Sequence, residues 1–537
     1  MSETIENNNT DGIGGVIPDQ QDLTYFPLDL YQALTLPFRL PCMIFSFFFD
    51  LFTYSFIGTT LLIGLVVLVF FLTKAFLKNK STRLAQSFPV SSSKSNRKYS
   101  GLVTIGFFHP YCNAGGGGER VLWCAVKALQ NRYDFVKIVV YTGDVDAKPE
   151  EIIRRAKERF NIEIEDYVHF VYLSTRSWVT AQRYPIFTLL GQSLGSILLG
   201  FEAIFKFCPD VYIDSMGYAF TLPIFRYIGD AKTCSYVHYP TISTDMLSKV
   251  NERQADFNNA QYIARNLVLS NLKIIYYKMF AWCYGLSGRC SDKVMVNSTW
   301  TSNHVKAIWK VKAPCLSIVY PPCNTRRLQE LYIDENESGK LFPRQIISLS
   351  QFRPEKNHML QLEAFSSFLK KLPIEQSENY RLLLVGSCRN EGDESRVKML
   401  REHAEKLEIL SYVEFHLNVS YEVLLTHLAQ SMVGLHTMKD EHFGIGVVEF
   451  LAGGLVTLAN DSAGPKMDIV TEHNGNKTGF LASSCQGYVK ALKKIFSMTT
   501  KERFRLCQNA RESVSHRFSE ETFERRFIAE TENLLNR

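Results

Sequence analysis

The sequence predicts an α/β protein: two consecutive doubly wound units facing a shared cleft, behind one N-terminal transmembrane helix. Three observations carry this. Residues 51–73 contain no charged side chain. From residue 102 onward, short apolar runs alternate with amphipathic helical runs, the pattern of a parallel sheet covered on both faces. The alternation pauses at a polar stretch, 334–340, and restarts at 345. A length of 537 residues is ample for two large cores.

The membrane element comes first. Residues 51–73 include Leu61-Leu62-Ile63-Gly64-Leu65-Val66-Val67-Leu68-Val69-Phe70-Phe71-Leu72. That approaches the ~20 apolar residues needed to cross a bilayer. A tail, 1–50, precedes the span, which argues against a cleaved signal peptide. Lys74, Lys78, Lys80, Arg83, Lys94, Arg97 and Lys98 follow it, whereas Asp19, Asp22, Asp29, Asp50 and only Arg39 precede it. The positive-inside rule puts the tail in a lumen and the C-terminal bulk in the cytosol. The sequons at Asn297 and Asn418 would then escape glycosylation. Residues 74–100, rich in Ser and Lys, read as a linker.

Composition narrows the partners. A formal charge of +6 with no basic-aromatic array does not argue for nucleic acid, no nucleic-acid partner is expected, and the charge is compatible with an anionic membrane surface. The 12 cysteines form no CxxC pair and no zinc-like spacing, so reduced cytosolic thiols are expected.

The first α/β unit is expected over 101–335. A buried strand at 102–108 leads into His109-Pro110-Tyr111-Cys112-Asn113-Ala114 and the four glycines Gly115, Gly116, Gly117 and Gly118. A helix follows at 119–130. Glycines here let backbone approach a ligand without a Cβ in the way. The run is neither GxGxxG nor a Walker loop, although Asp144 leaves a dinucleotide reading open. Strands follow at 135–141, 167–173, 211–214, 233–238, 293–297 and 316–320, with a helix at 150–160. Ligands gather at the carboxyl ends of such strands, which makes His238 a candidate; a structural histidine is the alternative. Residues 186–207 are rich in Phe, Ile and Leu, with Glu202 as the only acid. They read either as a core helix or as a helix lying in the membrane interface.

The second unit is expected over 341–515, and a final helix over 516–537 is expected to pack back on the first unit. Strands at 345–350, 380–386, 413–415 and 432–436 alternate with helices at 360–372 and 397–407. Then comes Glu441-His442-Phe443-Gly444-Ile445-Gly446-Val447-Val448-Glu449. Loop amides at a helix start attract phosphate. Carboxylates beside them only accept hydrogen bonds and so suit the sugar hydroxyls on either side of a diphosphate. The pattern points to a nucleotide-sugar site; two solvated carboxylates flanking a core helix is the alternative.

At these residues the chain resembles a family. The two units, Gln351-Phe352-Arg353-Pro354-Glu355-Lys356-Asn357-His358, the two spaced glutamates and Thr478-Gly479-Phe480-Leu481 look like retaining family 4 glycosyltransferases. Those enzymes have the GT-B fold, two Rossmann-like domains across a cleft. The strings 109–120 and Tyr236-Val237-His238-Tyr239-Pro240-Thr241-Ile242-Ser243 are similar to one subfamily, the dolichol-pathway α-1,2-mannosyltransferases. The resemblance covers 101–537.

It implies a donor, GDP-mannose, and an acceptor, a dolichyl-diphosphate-linked oligosaccharide carrying three mannoses, extended twice on the cytosolic face of the endoplasmic reticulum. Other early mannosyltransferases of the pathway are implied neighbours. By resemblance, Glu449 holds the donor ribose, Glu441 contacts the donor sugar, and Lys356 neutralises the β-phosphate. Phe443 and Gly444 present amides to the diphosphate, His238 reaches the reacting sugar, and Gly115–Gly118 face the phosphates and the acceptor. The family's usual arginine falls on Gln351, and Arg353 is the candidate replacement. No Asp-x-Asp cluster of the kind that holds a divalent cation lies beside the expected diphosphate segments 351–358 and 441–449, so neither metal nor further cofactor is expected. Retention could use a carboxylate nucleophile. None stands out near His238, and front-face attack is favoured. A transferase with another donor or lipid acceptor, and a non-catalytic scaffold, are the competing readings.

Overall fold

The computed structural model describes residues 28–88, 102–165, 167–251, 267–331 and 344–535. The polar stretch 334–340, the tail before residue 28 and the second half of the expected linker lie outside these. The chain divides into two compact units at Leu72 and Thr73.

The N-terminal helix runs over Leu28–Ser87, well beyond the expected span on both sides. Its stretch Ile44–Leu72 leaves large apolar side chains exposed along its length, among them Phe45, Phe52, Leu61, Leu68 and Phe71. In water such a surface would be unfavourable by ~25 cal/mol per Å². By length and composition this helix is long and apolar enough to cross a membrane.

The linker reading of 74–100 is corrected over 74–87. These residues continue the helix and dock on the first sheet domain. Leu77, Ser81 and Ala85 are buried on one face at a spacing of four. Lys74 Nζ pairs with Asp230 Oδ1 at 2.8 Å. Ser81 Oγ accepts from Cys208 N at 2.7 Å, and Lys80 Nζ donates to Phe205 O at 2.8 Å. Ser and Lys suggested a linker by composition, but their spacing leaves one face for packing and another for ion pairs.

Two parallel sheets follow. The first takes β1 (Val103–Phe108), β2 (Val136–Thr142), β3 (Val168–Tyr172), β4 (Val211–Asp214), β5 (Lys232–Val237), β6 (Lys293–Val296) and β7 (Leu316–Ile318). Their spatial order is β3-β2-β1-β4-β5-β6-β7. The second takes β8 (Arg344–Leu349), β9 (Tyr380–Gly386), β10 (Val413–Leu417), β11 (Val433–Leu435), β12 (Val456–Asn460) and β13 (Phe480–Ala482). Its order is β10-β9-β8-β11-β12-β13. Strands such as β1, β2 and β12 are buried at every position, because helices cover both faces.

The last helix, Glu520–Leu535, returns to the first sheet. Phe523 and Phe527 join the core around Ile105 and Trp123, and Phe527 stacks on Phe107 at 6.4 Å. Full burial of such a ring stabilises by about 1.5–3 kcal/mol. Arg120, Lys127 and Lys293 pair with Glu520, Glu524 and Glu530 along its polar side. The helix therefore ties the end of the chain to the domain that begins it.

Candidate active site

Each sheet reverses its strand order once, at β1/β4 and at β8/β11. Crevices form there at the carboxyl ends of the strands. His109–Gly118 leave the end of β1 and Ser215–Gly217 the end of β4. Ser350–Lys356 leave β8, and His436–Gly444 leave β11. Every expected site segment thus emerges at a switch point, except His238, which follows β5 beside β4.

In the second domain, Lys356 ends a short 3₁₀ turn. Thr437 Oγ1 donates to Lys356 O at 3.0 Å and Asn357 O at 3.1 Å, tying the β8 loop to the end of β11. The Lys356 ammonium then donates to Glu441 Oε2. His436 Nε2 stands 3.3 Å from the same oxygen. Burial would push the Glu441 carboxyl up, but Lys356 and His436 outweigh it and hold it well below the usual carboxylate range.

Gly444 caps the helix Ile445–Gly453 with φ +108°, a conformation that costs an L side chain 1 kcal/mol or more on the order of magnitude. The first amides of this helix have no intrahelical acceptor, so they and the helix dipole face an incoming anion. Glu449 lies one turn further on. It makes no hydrogen bond or ion pair among the described residues. Burial pushes its carboxyl up to about 7, with Arg120 offsetting only part of the effect. A carboxyl held without partners is prepared to meet hydroxyl donors.

In the first domain, Gly115 turns the loop with φ +77°. Gly116 N donates to Glu119 Oε2 at 2.5 Å, so this amide is already engaged. His238 Nε2 is 3.2 Å from Ser215 O. A carbonyl only accepts, so Nε2 carries the proton and Nδ1 is the acceptor. Burial, and then the neighbouring His109, push His238 down to about 4, which keeps the ring neutral at pH 7. Asp214 sits just behind; burial raises it to about 6 although the amides of Met216, Tyr218 and Gly217 work against this.

The two halves meet. A Cβ on Gly117 would stand 2.8 Å from Ile445 Cδ1, and one on Gly118 would stand 3.7 Å from His238 Nε2. The rings of Tyr239 and His442, next to His238 and Glu441, lie 4.1 Å apart. A cavity of about 740 Å³ also opens between the domains, with Gly115 and Arg159 on one wall and Gly386, Ser387, Asn418 and Tyr421 on the other. That volume suits a nucleoside-sized ligand.

The chain can be set against known proteins at this point. Residues 102–309 match the family model described as "ALG11 mannosyltransferase N-terminus", and 334–513 match "Glycosyl transferases group 1". The mouse GDP-Man:Man(3)GlcNAc(2)-PP-Dol alpha-1,2-mannosyltransferase is 52% identical over 83% of this chain and 89% of the relative. The human protein of that name is 49% identical over 92% of this chain and 98% of its own. The chain belongs to this mannosyltransferase family. Its GT-B fold is shared with Anabaena Alr3699/HepE in complex with UDP and glucose (TM-score 0.54, 17% identity, 80% and 99% coverage). It is shared also with sucrose-phosphate synthase from Thermosynechococcus elongatus (TM-score 0.57, 16%, 80% and 99%).

Two expected site residues of this mannosyltransferase stand apart from the cluster. Arg353 is half exposed, and its ion partner is Glu355 at 3.8 Å, not Glu441. The Phe443 side chain is buried between Tyr320 and Phe518, with ring centroids at 5.8 and 5.4 Å, so only its backbone can serve a ligand. Among the described residues no group of three His, Cys, Asp or Glu side chains is arranged to hold a metal ion.

Other residues of the site went unread in the sequence. In the sequence His436 reads as the end of the apolar strand 432–436, and nothing local shows that it reaches Glu441. The helix Leu267–Gly288 did carry a signal. Leu272, Ile275, Met279, Trp282 and Leu286 recur every three or four residues, and all are exposed. On the helix Thr188–Lys206, Gly195, Ser196, Leu199 and Ala203 face inward while Leu190, Leu194 and Leu198 face out. Leu190 N donates to the Tyr276 hydroxyl at 3.2 Å, and the Tyr276 ring meets Phe187 at 5.3 Å. The two exposed apolar stripes are therefore neighbours.

Proposed function

We propose that this chain is a retaining α-1,2-mannosyltransferase. It takes mannose from GDP-mannose to Man(3)GlcNAc(2)-PP-dolichol, twice, giving the five-mannose lipid. The observation that carries the reading is the Lys356–Glu441 pair beside the amides of Gly444 and the unpartnered Glu449, facing His238 across the cleft.

The donor diphosphate lies at the Gly444 helix start, its ribose hydroxyls donate to Glu449, and its nucleobase enters the 740 Å³ cavity. Lys356 turns from Glu441 to the β-phosphate. Glu441, relieved of the ammonium, accepts from mannose hydroxyls. As the bond from mannose C1 to the phosphate oxygen breaks, negative charge grows on the diphosphate, where Lys356 and the helix amides are already aimed. The acceptor hydroxyl attacks C1 from the same face, and its proton passes to the leaving phosphate. The neutral His238 offers Nδ1 to a sugar hydroxyl rather than a competing positive charge. The protein supplies the charge that a metal ion would otherwise bring.

The acceptor is a membrane lipid, and the exposed stripes of Thr188–Lys206 and Leu267–Gly288 suit the cytosolic leaflet of the endoplasmic reticulum. The N-terminal span holds the enzyme there with Lys74 and Lys78 at its cytosolic end. Incubation with GDP-mannose and a lipid-linked trimannosyl acceptor, followed by mass analysis, tests the reading. Gain of two hexoses supports it. Transfer from a UDP-sugar but not from GDP-mannose would overturn it.

A further inference from the structure

Arg159 ends the last full turn of the helix Pro149–Phe160, on the first domain. It is exposed, and no hydrogen bond or ion pair joins it to another described residue. The side chain is nevertheless placed. It lies across Gly115, where an added Cβ would stand 2.4 Å from Nε, 2.5 Å from Cδ and 2.7 Å from Cζ. Any other residue at 115 would displace it, so the glycine loop acts as its bed. From there Arg159 forms part of the cavity wall opposite Gly386, Ser387, Asn418 and Tyr421.

The opposite wall is stiff. Asn418 accepts from Cys388 N at 2.9 Å through its side-chain oxygen and donates to Cys388 O at 2.9 Å through its side-chain nitrogen. This closes the loops after β9 and β10 on each other. Neither Lys356, Glu441 nor Gly444 lines the cavity, so the diphosphate end of a donor lies elsewhere. Tyr421 does line it and feels the charge of Glu449, the ribose carboxylate of the proposed function. The cavity is then the far, nucleobase end. The other arginine on its wall, Arg155, is paired with Glu151 at 2.6 Å.

We infer that Arg159 reads the guanine base from the first domain, its guanidinium facing the edge that carries O6 and N7. Guanine presents two adjacent acceptors there, matching the two parallel N–H groups of an arginine fork. Adenine places an amino donor beside N7, and uracil offers a single carbonyl beside an N–H, so neither fits the fork. Donor selectivity would thereby depend on both domains, since the opposite wall alone cannot bring this cation. This inference rests on the proposed donor site and deepens it.

Full-length protein in nanodiscs, with GDP, 7-deaza-GDP and UDP as titrants, tests the inference. In 7-deaza-GDP a C–H replaces N7 and the phosphates are untouched. The wild type should bind GDP about tenfold or more better than 7-deaza-GDP. Arg159→Ala should weaken GDP about 10- to 100-fold, erase the difference between the two ligands, raise KM for GDP-mannose and leave kcat and Tm close to wild type. Arg159→Lys should not restore the discrimination, because a point charge is not a fork. An unchanged ratio in Arg159→Ala, or full rescue by lysine, would assign the residue to phosphate or to nothing and overturn the inference. A wild type that prefers UDP to GDP would instead remove the donor reading beneath it.

Discussion

The Lys356 ammonium and the Glu441 carboxylate are bonded directly, although 85 residues of chain separate them. The pair closes the gap between the loops after β8 and β11, the two strands at the switch point of the second sheet. Without a donor, each group neutralises the other at the place where a diphosphate and a sugar would divide them. Lysine charge released from a carboxylate onto a leaving phosphate acts mainly as the bond breaks.

Lys356→Ala should therefore lower kcat about 10²–10³-fold while changing donor affinity much less. Wild-type activity should persist in EDTA. Activity abolished by EDTA and restored by Mn²⁺ or Mg²⁺, with a near-normal Lys356→Ala enzyme, would defeat this account.

Glu449→Ala should weaken GDP-mannose binding, since each charge-assisted bond to a ribose hydroxyl contributes about 1.5–3 kcal/mol. The raised carboxyl adds a pH dependence. Ribose hydroxyls favour the ionised form, so donor affinity should increase as pH rises through about 7. Isothermal titration at pH 6, 7 and 8 checks this, and a flat profile would count against a ribose role.

The same carboxyl affects stability with the opposite sense. Its pKa in the folded protein lies above its unfolded value, so the native state holds the extra proton between about 4.5 and 7. Stability is lost as pH rises through that window and then levels off. Glu449→Gln should therefore raise Tm relative to wild type at pH 8 and leave it similar at pH 4.5. Equal Tm differences at both pH values would show that the carboxyl is not raised.

Deletion of residues 1–73 should free the enzyme from integral insertion yet leave it partly membrane-bound, through the stripes on Thr188–Lys206 and Leu267–Gly288. Adding Leu194→Ser, Ile275→Ser and Trp282→Ser should complete its release. A truncation that is wholly soluble at low and high salt without those changes would show that the stripes do not meet lipid.

Cutting at residue 88 instead should destabilise the protein. It removes the buried Leu77, Ser81 and Ala85 and the Lys74–Asp230 pair. Loss of the leucine alone is worth about 2–5 kcal/mol, the usual cost of truncating a buried leucine to alanine. Equal Tm values for the two truncations would mean that residues 74–87 only tether.

Periodicity and composition along the chain determined the long apolar N-terminal helix, the two α/β units and the segments that gather at the switch points of the sheets. These are local signals: an uncharged run, a strand followed by glycines, two glutamates around a helix start. Even so, composition misled at 74–87, where Leu77, Ser81 and Ala85 form a buried face only because a surface exists for them to cover. Partnership was decided by tertiary structure alone. Lys356 and His436 both meet Glu441, Gly117 comes close to Ile445, and Arg159 lies over Gly115 because parallel strands gather loops distant in sequence at the sheet ends, and the two sheets face each other there. Burial likewise keeps His238 neutral and raises Glu449. The solvation of a side chain depends on everything packed around it, and that is not written in its neighbours along the chain.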